Sequence, residues 1–352
     1  MNSKKIVWLV FGLILIGGFI YIYPTLPFKK KALQFKDIVA SNTMNEKVAH
    51  GKPYTFTLNK DGLSGQDSVV LVLDGTRLTQ VEGEFSIEIP TTSLPLGYHK
   101  VNITAYRGDK NKTVELIFYV VSDIQPEQMV HAVTQVINRD TEAYTQGLEI
   151  HNGILYESGG QTGQSLIRKV NPNNAQVLKK IKLDGELFAE GLTILNDKVY
   201  QLTWQNGICL IYDLELNQLK KINFKSSNGE GWGLCHDGKS LIISDGSNKL
   251  TYVNPETFAI EKTISVYAGD RDVQYLNELE YVDGFIYANV YTTNQIIQIE
   301  ASTGKVLKVA DFSDLDKGNP KADVLNGIAW NPASQNFILT GKYWGKLYYV
   351  KM

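Results

Sequence analysis

The sequence predicts an all-β protein: a five-bladed β-propeller preceded by an immunoglobulin-like β-sandwich and an N-terminal hydrophobic anchor segment. A fivefold repeat predicts the propeller. The copies are Gly147-Leu148-Glu149-Ile150 with Ile154-Leu155-Tyr156, Gly191-Leu192-Thr193-Ile194 with Val199-Tyr200-Gln201-Leu202, Gly233-Leu234 with Leu241-Ile242-Ile243-Ser244, Glu278-Leu279-Glu280-Tyr281 with Phe285-Ile286-Tyr287-Ala288, and Gly327-Ile328-Ala329-Trp330 with Phe337-Ile338-Leu339-Thr340. Their first residues are spaced by 44, 42, 45 and 49. Each unit holds several β-branched and aromatic runs split by turn residues such as Asn152-Gly153, Asp237-Gly238, Asp283-Gly284 and Ser302-Thr303-Gly304, the pattern of a four-stranded blade. A period-two alternation upstream predicts the sandwich, and an uncharged apolar run at the start predicts the anchor.

Residues 1–32 form the signal or anchor segment. Lys4-Lys5 precede an apolar run from Ile6 to Tyr23, which is just long enough to span a bilayer. No small-residue cleavage motif follows and no cysteine is present for lipid attachment, so an uncleaved signal-anchor is expected over a removed signal peptide. The body is then extracytoplasmic, on the periplasmic or secreted side, and held to the membrane by residues 6–23.

Between residues 33 and 122 come Tyr54-Thr55-Phe56-Thr57-Leu58, Val69-Val70-Leu71-Val72-Leu73, Phe85-Ser86-Ile87-Glu88-Ile89, Val101-Asn102-Ile103-Thr104-Ala105-Tyr106 and Val114-Glu115-Leu116-Ile117-Phe118-Tyr119-Val120. Short strands at this spacing, separated by Asp61-Gly62, Asp74-Gly75 and Gly108-Asp109, are those of an immunoglobulin-like sandwich. No catalytic cluster lies within it, so it is expected to act as a spacer or packing partner. Residues 123–130, with Pro126, are a linker, and residues 131–352 are the propeller. Its first strand, at 131–138, is expected to pair with the final strands around Lys346-Leu347-Tyr348-Tyr349-Val350, because a ring that ends in mid-blade must otherwise leave two raw edges.

The 35 basic and 37 acidic residues give a net charge of −2, which supplies no phosphate-binding field and excludes nucleic acid as an expected partner. Cys209 and Cys235 are the only cysteines, and Cys209 sits in an apolar run that predicts a buried thiol. The histidines at 50, 99, 131, 151 and 236 fall in loops or at strand starts without ligand spacing and are expected at the surface, which disfavours a metal hydrolase. No Gly-x-Ser-x-Gly elbow is present, and the glycine-rich Glu157–Gly163 stretch precedes no helical pattern that would receive a pyrophosphate.

Residues at the start of each innermost strand converge on one end of a propeller's channel. Here they are Tyr144-Thr145-Gln146, Phe188-Ala189-Glu190, Glu230-Gly231-Trp232, Leu276-Asn277-Glu278 and Leu325-Asn326, joined by Trp204, Tyr291, Lys342 and Trp344, of which Trp344 is expected to be ordinary blade packing. An aromatic mouth with a carboxylate, a lysine and several carboxamides is a pocket for a small polar ligand.

Over residues 131–352 the chain resembles the plant-type glutaminyl-peptide cyclotransferases, which are five-bladed propellers. The resemblance rests on Tyr144-Thr145-Gln146-Gly147-Leu148, Gly163-Gln164-Ser165 with Arg168-Lys169-Val170, Glu190-Gly191-Leu192-Thr193, Gln201-Leu202-Thr203-Trp204, Gly231-Trp232-Gly233-Leu234, Ser244-Asp245-Gly246-Ser247, Leu276-Asn277-Glu278-Leu279-Glu280-Tyr281, Leu325-Asn326-Gly327-Ile328-Ala329 and Thr340-Gly341-Lys342, in order. It implies cyclisation of an N-terminal glutamine of peptides or proteins to pyroglutamate with release of ammonia, and no required cofactor or metal. It also implies Glu190, Lys342 and Asn277 as catalytic residues, with Gln146, Tyr144, Phe188, Trp204, Trp232 and Tyr291 binding substrate. Glu190 would shuttle the proton, while Lys342, Asn277 and Gln146 would meet the amide or the developing oxyanion. Tyr144, Ala189, Tyr291 and Gly345 stand where the resemblance leads us to expect phenylalanine, glycine, tryptophan and proline. Two rival readings are a non-catalytic propeller that binds peptides or glycans, and a calcium-dependent lactonase-like propeller. Only Glu190, Asn277 and Asn326 are available as channel ligands for the latter.

Overall fold

The computed structural model describes residues 33–40, 45–78 and 85–352. The expected anchor at residues 6–23 lies outside them, and among the described residues no helix is long and apolar enough to cross a membrane. The described chain is all-β apart from the single-turn helix α1 (Phe35–Ile38). Among the described residues, one compact unit takes the chain up to Asn42, Thr55–Ile87 and Val101–Leu116, and the other takes Thr43–Tyr54, Glu88–Lys100 and Ile117–Met352.

Strands β1 (Glu46–Ala49), β2 (Tyr54–Thr57), β3 (Ser68–Leu73), β4 (Thr76–Arg77), β5 (Ser86–Ile89), β6 (Gly97–Arg107) and β7 (Lys110–Val121) make a five-stranded sheet in the order β1-β7-β6-β3-β4 and a two-stranded sheet β2-β5. Side chains alternate between the two faces of a strand, and β6 shows this directly, with Val101, Ile103 and Ala105 buried and Asn102, Thr104 and Tyr106 facing outward. His99 lies on the buried face of β6, contrary to the surface position expected for it. Its Nε2 is 2.8 Å from the Pro95 carbonyl oxygen and its ring stacks on Phe118 at 5.2 Å.

Strands β8 (Glu127–Gln128) and β9 (Ala132–Asn138) lead into four-stranded antiparallel sheets. The first holds β10 (Thr145–His151), β11 (Ile154–Gly159), β12 (Leu166–Val170) and β13 (Val177–Lys182). The second holds β14 (Ala189–Leu195), β15 (Lys198–Thr203), β16 (Ile208–Asp213) and β17 (Gln218–Asn223). The third holds β18 (Leu234–His236), β19 (Leu241–Ser244), β20 (Lys249–Val253) and β21 (Ile260–Ser265), and a small hairpin follows from β22 (Tyr267–Ala268) and β23 (Arg271–Asp272). The fourth holds β24 (Leu276–Val282), β25 (Phe285–Val290), β26 (Gln295–Glu300) and β27 (Val306–Asp311), and β8 adds in parallel to β27. The expected linker 123–130 thus contributes a short fifth strand. The last sheet holds β28 (Leu325–Asn331), β29 (Asn336–Gly341), β30 (Lys346–Lys351) and β9. Strand β9 pairs antiparallel with β30, from Lys346 opposite Asn138 to Lys351 opposite Ala132, as the sequence requires.

The first strands pack in a closed cycle: β10 on β14, β14 on β18, β18 on β24, β24 on β28 and β28 on β10. The core is divided the same way. Tyr156 and Ile167 meet Leu192 and Val199 between the first two sheets, and Leu202 and Cys209 meet Leu234 and Ile243 between the next two. Ile242 and Leu250 meet Leu279 and Ile286 between the third and fourth, Ile296 and Ala310 meet Leu325 and Leu339 between the fourth and fifth, and Ala329 and Ile338 meet Leu148 and Leu155 where the cycle closes. Both cysteines are buried free thiols.

The repeat's glycine has a steric cause. A Cβ on Gly147 would lie 2.3 Å from Leu192 N, one on Gly191 2.5 Å from Leu234 N, and one on Gly233 1.9 Å from Asn277 O. Adjacent first strands approach so closely that a side chain would collide with backbone. The hairpins follow from turn chemistry: Asn152-Gly153 and Asp283-Gly284 both have positive φ at two central residues, as a tight right-twisted hairpin demands. Asn196-Asp197 makes the same turn without glycine, at φ 53 and 58.

Candidate active site

Four of the five first strands are bulged at the residues expected to carry chemistry. Pairing of β10 with β11 shifts between Thr145 and Gly147, of β14 with β15 between Ala189 and Leu192, of β24 with β25 between Leu276 and Leu279, and of β28 with β29 between Leu325 and Ile328. Gln146, Glu190, Asn277 and Asn326 all fall inside these shifts. A bulge leaves its extra residue unpaired and re-aims its side chain; a glycine follows Gln146, Glu190 and Asn326, and Glu278 follows Asn277.

Three of these side chains form one buried chain. Asn326 Nδ2 donates to Gln146 Oε1 at 3.1 Å and to the Thr145 carbonyl at 3.0 Å, and Gln146 Nε2 donates to Glu190 Oε1 at 3.0 Å. Asn277 is not in this chain. Its side-chain Oδ1 is buried without a hydrogen-bond partner, as is that of Asn326. Its backbone carbonyl accepts from Ser244 Oγ at 2.7 Å, which fixes the backbone from which the side chain projects.

The aromatic residues, Lys342 and Glu230 close a cuff. Tyr144 meets Phe188 edge-on at 6.4 Å, and Phe188 meets Trp204 at 5.6 Å. Trp204 Nε1 donates to Glu230 Oε2 at 2.8 Å, and Trp232 Nε1 donates to the same oxygen at 2.8 Å. Trp232 meets Tyr291 at 5.5 Å, and Lys342 Nζ stands 4.6 Å from the Tyr291 ring and 4.6 Å from the Tyr144 ring, completing the circuit. Two glycines make room for it: a Cβ on Gly160 would lie 2.5 Å from Phe188, and one on Gly246 2.7 Å from Trp232. Trp344 belongs elsewhere. It is buried in the core between the fourth and fifth sheets and donates Nε1 to the Asp323 carbonyl.

Burial is the largest influence on the Glu190 carboxyl and pushes it well above the ordinary carboxylate range; Lys342 pulls it down in part, and Glu230 pushes it further up. Burial likewise draws the Lys342 ammonium down to about 8, against the opposing pull of Glu190 and Asp323. No hydrogen bond or ion pair joins Glu190 and Lys342 among the described residues, so they act on one another across a gap. The charged form of each is disfavoured by loss of water, and a proton can pass at modest cost. Glu230 differs. Burial raises its pKa, but donors from Gln205, Trp232 and Trp204 outweigh that and hold it below the ordinary range, so it is an anion at neutral pH.

Two residues escaped the sequence reading as contributors. Glu230 was visible only as a polar residue before Trp232; its grip on two indoles needs the second and third sheets side by side. Glu278 stands where four other copies of the repeat have glycine, which was the available signal. Fully buried, it accepts from the backbone N–H of Leu148 at 3.1 Å and of Ile328 at 2.7 Å, tying three first strands together. A separate buried cluster supports the mouth: Glu157 accepts from Arg139, Arg168 and Thr145, and burial, which would raise its carboxyl, is overcome by the two guanidinium groups, which bring it down to about 2.

Residues 110–352 match the family described as Glutamine cyclotransferase. A glutaminyl-peptide cyclotransferase from Arabidopsis thaliana is 40% identical over 220 residues, covering 60% of this chain and 68% of that protein. The crystal structure of Myxococcus xanthus glutaminyl cyclase superposes with a TM-score of 0.59 and 35% identity, over 64% of this chain and 98% of that one. With a match across more than half its length and relatives of this similarity, the chain belongs to the glutamine cyclotransferase family.

Proposed function

We infer that this chain is a glutaminyl-peptide cyclotransferase, converting the N-terminal glutamine of peptides or proteins to pyroglutamate with release of ammonia. Family membership supports the activity, and the closed cuff with a desolvated carboxyl beside it supports the place. The cuff is apolar enough to strip water from a glutamine stem and carries one cation and one anion to orient its ends.

The substrate brings its own nucleophile. Its α-amine attacks Cδ of its own carboxamide, forming the ring C–N bond and an oxyanion. Collapse breaks the bond to the side-chain nitrogen, which leaves as ammonia. One proton must leave the attacking amine and one must reach the leaving nitrogen, and a single carboxyl can do both. In this reading Glu190 accepts the first and returns it as the second, ending as it began. Its raised pKa suits both halves, since proton transfer is best when donor and acceptor lie near the working pH. Gln146 holds the carboxylate in one orientation. Lys342, kept positive by Glu190 and Asp323, faces the developing oxyanion, and the partnerless Oδ1 of Asn277 accepts from the carboxamide NH2. Phe188, Trp204, Trp232, Tyr144 and Tyr291 hold the stem in a folded, near-attack shape. No cofactor enters the scheme.

We read the five sheets as the blades of a five-bladed propeller, with the closed cycle of first strands and the β9–β30 closure as support, and the N-terminal sheets as an immunoglobulin-like sandwich. Residues 6–23 we assign to a membrane anchor that places the body outside the cytoplasm.

The test is direct. Purified protein, given a Gln-initiated peptide with and without chelator, should release one ammonia per peptide in both conditions and leave Asn-initiated peptides unchanged. Absence of ammonia, or activity that vanishes with chelator, would count against the reading.

A further inference from the structure

Among the described residues Glu230 makes no hydrogen bond to Glu190 or to the other members of the buried amide chain, yet it bonds to more of the cuff than any other residue. Its Oε2 accepts from both Trp204 and Trp232, and its Oε1 accepts from Gln205 Nε2 at 2.8 Å. Those donors come from the end of β15 and from the approach to β18, so one carboxylate spans two sheets. Its own backbone is pinned, since its carbonyl accepts from Ser226 Oγ at 2.7 Å. Three neutral donors on a single carboxylate leave its negative charge uncancelled, because none of them brings a positive charge.

We propose that Glu230 is a positioning residue of this site: its anionic carboxylate, holding Trp204 and Trp232 on one oxygen, sets the angle of the two indoles that wall the glutamine stem. The inference rests on the cyclotransferase reading for its kinetic part and not for its structural part. An indole N–H bonded to a carboxylate is a charge-assisted donor and is held more tightly than one bonded to a neutral oxygen. Both rings point their edges at one atom, so neither can rotate alone. The charge acts on Glu190 together with Lys342, which opposes it. Tyr144, which also faces Glu190, is held neutral by burial, and Asp323 acts on Lys342 and Tyr144. Burial is the chief reason Glu190 is raised; Lys342 opposes it, and Glu230 adds to it.

Two isosteric or near-isosteric variants of the full chain separate the parts. Glu230→Gln keeps an acceptor oxygen but not the charge; Glu230→Asp keeps the charge but withdraws it by one methylene. Each is compared with the parent in the pH dependence of kcat/KM on a Gln-initiated peptide and in the indole N–H resonances of substrate-free protein. The substrate amine titrates identically in every case, so a displaced acid limb belongs to the enzyme. Glu230→Gln should move the acid limb to lower pH and move two indole resonances. Glu230→Asp should leave the limb in place, move the same resonances and raise KM. The proposal is overturned if both variants reproduce the parent's limb and indole resonances, or if their defects follow only a loss of melting temperature. If the parent itself releases no ammonia, the function reading fails, and the indole resonances still decide whether Glu230 sets the two rings.

Discussion

Replacing Glu190 by glutamine changes one oxygen to an amide in a group whose surroundings are otherwise preserved, because Gln146 Nε2 can still donate to the remaining oxygen at 3.0 Å. Removal of a positioned acid–base group costs about 10²- to 10⁴-fold in rate, or about 3–5 kcal/mol on the barrier. The loss should fall on kcat, with KM within about threefold of the parent, since the cuff is untouched. Stability should move the other way. Burial raises the folded pKa of Glu190 above its ordinary 4.5, so the folded state holds this proton more tightly than the unfolded one, and the associated stability is complete below pH 4.5 and lost as pH rises through the folded value. A glutamine suffers no such loss. Glu190→Gln should therefore melt at the parent's temperature near pH 4 and above it at pH 8, while being nearly inactive at both. Ammonia release under single-turnover conditions and melting curves across that range test it. Turnover within threefold of the parent would refute the proton-shuttle assignment, and a lower melting temperature at pH 8 would refute the desolvation argument.

Lys342→Arg should extend activity to higher pH. The lysine loses its charge near pH 8, whereas a guanidinium does not titrate in this range; a basic limb near pH 8 in the parent that disappears in the variant is the expected kcat profile. Glu157→Gln should destabilise by about 3–5 kcal/mol at neutral pH, because Arg139 loses its carboxylate partner and Arg168 keeps only Asp140; denaturant melts should show it, and the gap should narrow as pH falls toward 2, where Glu157 itself protonates. Removing Lys346–Lys351 deletes β30, leaves β9 without its partner and opens one edge of β29, so the truncated chain should lose cooperative unfolding rather than melt a few degrees lower.

Much of the fold was legible because its causes are local. Alternation of apolar and polar residues marks a strand wherever one face is buried, Asn-Gly and Asp-Gly mark tight turns, and the glycine heading four of the five repeats marks the place where first strands crowd together. The site residues were legible for the same reason: repeat alignment brings together positions that bulges later aim inward. What the sequence concealed depended on distance between sheets. His99 looked like a loop residue because nothing in its neighbours reveals that Phe118, on the adjoining strand, covers its ring.

By itself, then, the sequence determined the all-β class, the order of strands, the closure by residues 131–138 and the cast of polar and aromatic residues at the strand starts, since each follows from short-range periodicity and sterics. Only the tertiary structure decided which of them touch. It joined Asn326, Gln146 and Glu190 into one chain, separated Asn277 from it, kept Glu190 and Lys342 apart, and gave Glu230 both indoles. Those outcomes depend on how neighbouring sheets are rotated against one another and on how much water is left between them, and no local pattern of residues encodes either.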